Sequence, residues 1–379
     1  MLGALCYSLD PVRIALVSPP LVAVPPVRYG GLERIVGVLA DGLLERGHEV
    51  TLFAPGDSQF GGSRSGGRLV ATVPEALWND GFHSDPREHY RATVELVLEQ
   101  ASHFDIVHSH LDANGFDMAE RSPVPVISTL HGRTDSDPLA GAIRAHPNVA
   151  LVAISEAQRS FVPEGNWIAT ILHGLDFSTA PDYSARQVDA GEDGYLVFVG
   201  RLSHDKGVAE TVELARLARR RLVVAAKVLD PLEKEIYETI IAPAVADGVV
   251  DFRGEVDERE RDRLMGEAVA TIMLSRWPEP FGLVAIESLA TGTPLIAARS
   301  GALPEIVVDG VDGFIVDDPA AGAAAVDRIA SLDRARIRAR AIGRFSAARM
   351  LDDYERVFDR IVAGGSSGAV SQRPPSSQM

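Results

Sequence analysis

The sequence predicts an α/β protein with two consecutive halves, each built around an open parallel sheet. Short apolar runs rich in β-branched residues alternate with longer amphipathic runs along the chain, which is the pattern of strands joined by crossover helices. The length of 379 residues favours two domains over one. A polar stretch rich in Gly and Asp, residues 176–194, interrupts the alternation, which then begins again.

The first predicted half, residues 12–175, begins with the apolar run at 12–18, which is typical of a buried strand. After a loop rich in Pro and Gly, the next run places Ile35, Leu39 and Leu43 on one stripe of an amphipathic helix. Apolar runs that end in polar residues predict further strands at 49–54, 105–110, 125–131 and 149–155.

The second predicted half, residues 195–346, repeats the alternation after the linker at 176–194. Apolar runs predict strands at 195–201, 221–227, 249–254, 270–275 and 294–298. Amphipathic runs predict helices near 207–219, 232–246 and 257–268, from about 283, and between roughly 319 and 362.

Four segments differ from this alternating pattern. Residues 1–11 are predicted to be a short leader rather than a secretion signal, because Asp10 interrupts the apolar run and no basic residue precedes it. The Gly- and Ser-rich run at 56–68 predicts a mobile loop. A final helix is predicted at 347–363, whereas residues 364–379 lack the apolar groups needed to fold and predict a disordered tail.

Composition restricts the classes of function. The chain is 46% apolar and 24% charged, as ordinary globular proteins are, and no apolar run reaches the ~18 residues of a membrane span. The formal net charge of −16 argues against a nucleic-acid binder or a general lipid-headgroup binder. Nothing in the sequence supports or excludes peripheral contact with a membrane. The single cysteine, Cys6, excludes an internal disulfide and favours a cytoplasmic location.

A pair of cations beside a glycine turn is the first candidate for a ligand site. The stretch GRLSHDKG, residues 200–207, follows a predicted strand and contains Arg201 and Lys206. A guanidinium can hold a diphosphate with two hydrogen bonds, and an ammonium group and helix-end amides add charge and donors. The same residues could also be surface cations that cap a turn, so the motif alone leaves both interpretations open.

A second glycine pair, Gly30 and Gly31, lies between the first predicted strand and the first helix. Glycine lets a backbone approach an anion closely, and the helix N-terminus favours negative charge. The stretch is not G-x-G-x-x-G, so the dinucleotide-binding fingerprint is absent. A nicotinamide-dependent dehydrogenase is therefore the least favoured enzyme class.

The stretch EPFGLVAIE contains two glutamates, Glu279 and Glu287, in different predicted settings. Pro278 and Pro280 make Glu279 a loop residue. A helix predicted to follow Phe281 leaves free N–H groups near its start, at Gly282, Leu283 and Val284. Glu287 lies about one turn inside that helix among apolar neighbours, so its desolvation must be offset by donors. A ribose diol would offer two, although a glutamate exposed on one side is an equal alternative.

Three histidines, His108, His110 and His131, lie at the ends of two predicted strands. His108 and His110 could be a metal pair, but the sequence shows no third ligand near them, so no metal site is expected. His131, in TLHG, could hydrogen-bond a substrate hydroxyl, although a lone histidine at a strand end is more often structural.

Taken together, these motifs resemble those of family 4 glycosyltransferases of the GT-B fold, in which two Rossmann-like parallel-sheet domains face a cleft. The motifs stand in the family's order and span nearly the whole chain: YGGLER (29–34), TLHG (129–132), GRLSHDKG (200–207), EPFGLVAIE (279–287) and GTPLIAARSGALPEIVVDGVDGFIVDD (292–318). The resemblance implies an enzyme that transfers a sugar from a nucleotide-diphosphate sugar, linked to uridine or guanosine, with retention of configuration. It implies no cofactor and no metal.

The resemblance also implies roles for individual residues. Arg201 and Lys206 match the cations that hold the diphosphate, and Glu279 matches the acid that bonds the donor sugar. The remaining matches are Glu287 for the ribose hydroxyls, Gly30 or Gly31 for the loop under the phosphates, His131 for the donor sugar, and the helix start at Phe281, Gly282, Leu283 and Val284 for the nucleotide. The final helix, 347–363, is expected to cross back onto the first half.

One position departs from the family pattern. The family has Asn-Gly-(Val or Ile)-Asp where this chain has HGLD at 173–176, so His173 is expected to alter a loop near the cleft. The sequence does not reveal the donor sugar or base, the oligomeric state, or the acceptor, which could be a carbohydrate, a lipid or a small molecule.

Other activities fit the same sequence features. The resemblance implies front-face attack, with the departing phosphate as base, but a double displacement with Glu279 as nucleophile is also open. A nucleotide-sugar 2-epimerase or hydrolase would use the same grip on the diphosphate, and a non-catalytic nucleotide-sugar-binding protein would keep it without turnover.

Overall fold

The strands of the described part of the chain form two separate parallel sheets, one of seven strands and one of six. The structure, a computed structural model, describes residues 11–27, 30–60, 66–79, 85–186 and 194–367. The predicted α/β fold class with two parallel-sheet halves is confirmed. Residues 1–10 of the predicted leader, Tyr29, residues 61–65 of the predicted loop, residues 187–193 of the predicted linker and most of the predicted tail lie outside the described residues.

In its described residues, the first half contains seven strands and five α-helices. Its strands are β1 (Arg13–Val17), β2 (Glu49–Ala54), β3 (Gly67–Ala71), β4 (Ile106–Ser109), β5 (Val126–Thr129), β6 (Ala150–Ala153) and β7 (Trp167–Thr170) within the described residues. Its helices there are α1 (Gly31–Glu45), α2 (Arg87–Gln100), α3 (Phe116–Arg121), α4 (Asp137–Ala145) and α5 (Glu156–Ser160).

The second half and the C-terminal segment follow the same principle. The strands found in the described part are β8 (Tyr195–Val199), β9 (Arg221–Ala225), β10 (Val250–Gly254), β11 (Ala270–Met273), β12 (Leu295–Ala298) and β13 (Gly313–Val316). The corresponding helices are α6 (Val208–Leu217), α7 (Pro231–Ile236), α8 (Ala242–Ala246), α9 (Glu258–Glu267), α10 (Leu283–Ala290), α11 (Leu303–Ile306), α12 (Pro319–Val326), α13 (Arg334–Phe345) and α14 (Ala347–Ser367). A π-helical turn, Tyr237–Ile241, joins α7 to α8 where one helix is predicted.

Both sheets are doubly wound, with a reversal of strand order near the middle. The first has the order β3-β2-β1-β4-β5-β6-β7 and the second the order β10-β9-β8-β11-β12-β13. Each strand pairs with its neighbours in parallel, so the carboxyl ends of all strands in a sheet lie on the same side of the domain. The reversals lie between β1 and β4 and between β8 and β11.

Strand β1 shows why the strands read as continuous apolar runs. Ile14 and Leu16 pack with residues of α1, whereas Ala15 and Val17 pack on the opposite face with residues of α2. A parallel sheet covered by helices on both faces buries every side chain of a central strand. The apolar cluster that contains Ile14 continues into α10, α13 and α14, so it joins the two halves.

Helix α14 packs on the first half. Leu351 lies against Gly42 of α1, and the hydroxyl groups of Tyr354 and Thr129 are 2.9 Å apart. Since the helix extends to Ser367, the first four residues of the predicted disordered tail are helical. An established helix extends by one hydrogen bond per residue without new nucleation.

Three of the observed strands, β3, β7 and β13, were not predicted from the sequence. Strand β3 starts inside the run at 56–68 that predicts a loop, and β7 and β13 lie in runs that were not predicted as strands. All three are edge strands of their sheets. Partial exposure weakens the apolar pattern of β3 and β7, whereas β13 is mostly buried. Among the described helices, none is both long and apolar enough to cross a bilayer.

Candidate active site

The predicted site residues follow strands at the two reversals of strand order. In the first sheet, Gly30 follows β1 and His110 follows β4. In the second sheet, Arg201 follows β8 and Glu279 follows β11. Ligands of open parallel sheets bind in the crevice beyond the carboxyl ends of the strands at such reversals. The topology therefore makes the crevice between the halves the candidate site.

Lys206 and Glu279 form a bidentate ion pair in this crevice. The Nζ atom of Lys206 lies 2.8 Å from Oε1 and 2.6 Å from Oε2 of Glu279. Ser275 Oγ and Trp277 Nε1 also donate to Oε2, each at 3.2 Å. These donors offset the desolvation of the Glu279 side chain, which is 8% exposed.

Gly207 brings the turn that carries Lys206 against the end of β11. The residue has a φ of +68°, and a Cβ added to it would lie 1.8 Å from the carbonyl oxygen of Leu274. The N–H of Arg276 donates to the carbonyl of Asp205 at 2.8 Å. Only glycine meets both the conformational and the spatial requirement, so this position fixes Lys206 beside the loop of Glu279.

The loop of Glu279 is held from both halves. A Cβ at Gly301 would lie 2.2 Å from the Glu279 nitrogen, and Ala302 N donates to the carbonyl of Glu279 at 2.8 Å. From the first half, Ser155 Oγ donates to the carbonyl of Pro280 at 2.7 Å. The backbone around the carboxylate is therefore fixed before any ligand contact.

The indole ring of Trp277 contacts cations from both halves. Lys206 Nζ is 5.0 Å and Arg133 Cζ is 4.8 Å from its ring centroid. Arg133 also pairs with Asp135 at 2.7 Å. Cations attract the face of an indole ring, so Trp277 links the two halves beside Glu279.

Glu287 also bridges the halves, through two arginines. Its Oε1 accepts a hydrogen bond from Nη1 of Arg34 on α1, and it lies 2.9 Å from Nη1 of Arg261 on α9. Burial opposes the charge of Arg261, but Glu287 and Asp262 outweigh this effect and raise its pKa. The donors that the apolar setting of Glu287 requires are thus guanidinium groups of the protein, and the expected contact with a ribose remains a proposal.

The starts of helices α1 and α10 face each other across the crevice. A Cβ at Gly31, the first residue of α1, would lie 3.2 Å from Cδ1 of Leu283, the first residue of α10. Gly30 packs against Pro26, and Gly282 caps α10 with a φ of +103°. The first N–H groups of each helix, including those of Leu283 and Val284, have no acceptor in their own helix. Two helix N-termini therefore direct positive potential into the crevice.

Two of the predicted site residues, Phe281 and Arg201, differ in burial. Phe281 is 3% exposed and packs its ring on His173 and Phe345, with centroid distances of 4.9 and 6.2 Å. Its side chain therefore supports the loop from the core. Arg201 is partly exposed, and its guanidinium has no hydrogen bond or ion pair with the described residues. It is a cation of the crevice edge that can still accept an anion.

The histidines form one cluster with His173. The rings of His108 and His110 are 4.2 Å apart, and His131 stacks on His173 at 5.2 Å. His110 Nδ1 is 2.8 Å from His131 Nε2. Burial lowers the pKa of His108 and of His131 to about 3, and lowers the pKa of His110 and His173 well below its usual value. Among the described residues, neither this cluster nor any other group of three or more His, Cys, Asp or Glu side chains has an arrangement that could hold a metal ion.

Two buried carboxyl groups of the crevice were not singled out from sequence. Asp112 Oδ1 accepts the N–H of His131 at 2.8 Å, and burial raises the pKa of Asp112 to about 6. Glu33, on α1 beside Gly30, is 6% exposed, and burial raises its pKa to about 7. The sequence offered one signal for each residue: Asp112 closely follows β4, and Glu33 closely follows the glycine pair that ends at Gly31. Arg34 and Trp277, which link the halves, were also missed.

Two family models match consecutive parts of the chain. The model described as "Glycosyltransferase Family 4" matches residues 29–172, and the model described as "Glycosyl transferases group 1" matches residues 181–346. Together they contain the site residues Gly30, Gly31, His131, Arg201, Lys206, Glu279 and Glu287, whereas His173 lies between the two matched ranges.

Individual proteins agree with this assignment. A glycogen synthase of Mycobacterium tuberculosis (strain CDC 1551 / Oshkosh) is 29% identical over 390 aligned residues, which cover 91% of both chains. The crystal structure of AviGT4, a glycosyltransferase involved in avilamycin A biosynthesis, is 28% identical, with a TM-score of 0.68 and coverage of 93% of this chain and 99% of that one. The Anabaena protein HepE in complex with UDP-glucose, at 18% identity, shares the fold with a TM-score of 0.67 and coverage of 94% and 100%.

The folds, the motifs and the two matched models lead to one conclusion. The chain belongs to the family 4 and group 1 glycosyltransferases of the GT-B fold.

Proposed function

We propose that this glycosyltransferase moves a sugar from a nucleotide-diphosphate sugar to a hydroxyl-bearing acceptor, with retention of configuration and without a metal ion. One observation carries the proposal: Lys206, paired with Glu279, lies in a crevice toward which the N-termini of α1 and α10 point. Arg201 adds a guanidinium that has no partner among the described residues. An anion with a hydroxyl-rich neighbour is the ligand that fits these groups.

The chemical requirement is stabilisation of the leaving group. When the bond between sugar and phosphate breaks, negative charge grows on the diphosphate. Preorganised cations and N–H groups lower the energy of that charge, and removal of one such donor costs about 3 kcal/mol of barrier. Arg201, Lys206 and the two helix starts supply this stabilisation from protein groups alone.

Lys206 and Glu279 can exchange partners when the donor binds. The diphosphate offers oxygen atoms to the ammonium group, and the sugar hydroxyls offer O–H donors to the carboxylate. This exchange keeps both groups of the ion pair solvated by polar contacts. Glu279 then orients the sugar while Lys206 stabilises the leaving group.

Retention through front-face attack fits the environment of Glu279 better than a double displacement does. Its carboxylate accepts bonds from Lys206, Ser275 and Trp277. Such donors disperse the charge of a carboxylate and weaken it as a nucleophile. In the proposed reaction the acceptor hydroxyl attacks the anomeric carbon, the bond to the diphosphate breaks, and the proton passes to the departing phosphate oxygen.

The donor base and the acceptor are open within this proposal. The similar proteins include a glycogen synthase and an enzyme of avilamycin A biosynthesis, whose names indicate different acceptors. The structure of HepE contains UDP-glucose, which supports a uridine-linked donor as the first one to test. Since the chain has one cysteine, a reducing compartment suits it, and we place the activity in the cytoplasm.

A thermal-shift panel of UDP-, GDP- and ADP-sugars tests the proposal. We expect one nucleotide series to stabilise the protein by about 2.7 kcal/mol at a hundredfold excess over Kd, and Arg201→Ala to reduce that shift. Incubation with the donor alone then separates the enzyme classes, because an epimerase changes the sugar without acceptor and a transferase shows only slow hydrolysis. The absence of any shift with the wild-type protein would contradict the proposal.

A further inference from the structure

His110 and His131 lie at the carboxyl ends of neighbouring parallel strands. Strands β4 and β5 pair in parallel, with Ser109 next to Ser128. The two rings extend beyond this pair, and His110 Nδ1 lies 2.8 Å from His131 Nε2. His110 is fully buried, whereas His131 retains partial exposure. His110 therefore supports His131 from behind, on the side away from solvent.

The unpaired atoms of the cluster decide which ring carries the shared proton. His110 Nε2 is buried without a partner among the described residues. If Nδ1 of His110 accepted the bond, the neutral ring would leave an N–H group at Nε2 without an acceptor. Buried N–H groups without partners are rarer than unpaired acceptors. The lower cost is that His110 donates through Nδ1–H and leaves a lone pair at Nε2.

The tautomer of His131 follows from this direction. Its Nε2 accepts the bond, so a neutral His131 carries its proton on Nδ1. That atom has no hydrogen bond with the described residues and is not among the buried unpaired atoms. It therefore presents an N–H donor on the accessible side of the ring.

The surrounding rings hold this arrangement in place. His108 packs on His110 with a centroid distance of 4.2 Å, and its Nε2 is 2.8 Å from the hydroxyl of Thr129. His173 stacks on His131 at 5.2 Å, with an angle of 18° between the planes. Rings packed on both members of the pair restrict their rotation, so the hydrogen bond defines one geometry.

From these contacts we infer that His110 is a positioning residue: its Nδ1–H bond to His131 Nε2 fixes the tautomer in which His131 offers an Nδ1–H donor to a hydroxyl of the bound sugar. The contact with the sugar rests on the proposed function, whereas the tautomer does not. The inference goes beyond the predicted role of His131 because it makes that role depend on a second, buried histidine.

The tautomer can be measured directly in the full-length protein. Two-bond ¹H–¹⁵N correlation spectra of ¹⁵N-histidine-labelled protein distinguish rings protonated on Nδ1 from rings protonated on Nε2, and His131→Gln assigns the signals. We expect His131 to be protonated on Nδ1 in the wild type. His110→Asn, whose amide nitrogen can replace Nδ1–H, should keep this state, and His110→Leu should lose it. Protonation of His131 on Nε2 in the wild type, or an unchanged spectrum in His110→Leu, would overturn the inference.

Kinetics separate this inference from the proposed function. With the nucleotide sugar that stabilises the protein, we expect His110→Leu to lower kcat of donor hydrolysis about tenfold with little change in KM, and His110→Asn to recover most of it. Normal kcat in His110→Leu, together with loss of activity in Arg201→Ala, would refute positioning while sugar transfer stands. If no nucleotide sugar binds, the proposed function fails, and the spectra still decide the tautomer.

Discussion

Lys206 and Glu279 are 73 residues apart in the chain, yet their charged groups lie within 2.8 Å of each other at two pairs of atoms. Both side chains are mostly buried, with 20% and 8% exposed. Two such groups stabilise each other, and removal of one leaves the other poorly solvated. Mutations at this pair therefore mix effects on stability with effects on chemistry, and Arg201 provides the cleaner test.

We expect Arg201→Ala to lower turnover without unfolding the protein. The guanidinium has no ion pair with the described residues, so its removal leaves no stranded charge. Loss of one donor to the leaving group should reduce kcat about 100-fold, measured as donor hydrolysis, while Tm stays constant. Arg299→Ala is the control, because Arg299 is a surface residue paired with Asp317. A comparable fall in Tm and activity would show that Arg201 is structural.

A double-mutant cycle at Lys206 and Glu279 should separate stability from activity. Lys206→Met leaves a buried carboxylate without its cation and should cost about 1–2 kcal/mol of unfolding free energy. Adding Glu279→Gln removes the stranded charge and should recover about half of this cost. Turnover should stay low in both single variants and in the double variant. Recovery of turnover together with stability would mean that the pair serves the fold alone.

The sequence predicts the architecture and most of the charged residues around the crevice. Strands such as β8 and β12 are recognisable because burial on both faces makes them continuous apolar runs. Arg201, Lys206 and Glu279 are recognisable because cations and carboxylates follow such runs directly. Position after a strand is a local property, so a single sequence contains it.

Contacts between distant segments could not be predicted in the same way. Nothing local to Arg34 shows that it meets Glu287, 253 residues away, and Glu287 was therefore assigned donors from a ligand instead of from the protein. The bond between His110 and His131 depends on the order in which β4 and β5 lie in the sheet. Strand order is a long-range property that alternation of strands and helices does not fix.

We expect Arg34→Ala to tighten nucleotide binding. Arg34, on the first half, donates a hydrogen bond to Glu287 on the second half, and its Nη2 also lies 3.1 Å from Oε1 of Glu258. A ribose that uses Glu287 must displace this contact, whose loss costs about 1 kcal/mol. Removing the competitor should lower Kd about fivefold, measured by calorimetric titration, and Arg261 should keep Glu287 paired. Arg34→Lys should show a smaller gain. A higher Kd in Arg34→Ala would mean that Arg34 itself binds the nucleotide.

The buried titratable groups of the crevice act on stability in opposite directions. Folding lowers the pKa of four histidines, including His108 and His131 to about 3, so below about pH 6.5 the unfolded chain takes up protons that the folded chain does not. Their effect is a loss of stability as the pH falls from 6.5 toward 3. Folding raises the pKa of Glu33 to about 7 and of Asp112 to about 6, so these carboxyls lose their contribution as the pH rises. Because the four histidines outnumber the two carboxyl groups, we expect these six groups together to raise the free energy of unfolding as the pH rises from 4.5 to 6.5.

His173→Asn should make this dependence on pH weaker. The histidine is 3% exposed, and burial, His131 and Arg349 all lower its pKa. Each such group contributes at most about 1.4 kcal/mol per pH unit, and asparagine contributes nothing because it does not titrate. Urea unfolding at pH 4.5, 5.5 and 6.5 should therefore give a slope lower by about that amount than in the wild type. Replacement of the exposed His103 by Asn is the matched control for the loss of an imidazole outside the buried cluster. Equal slopes for wild type and His173→Asn would show that His173 is protonated in the folded protein, against the effect of its burial.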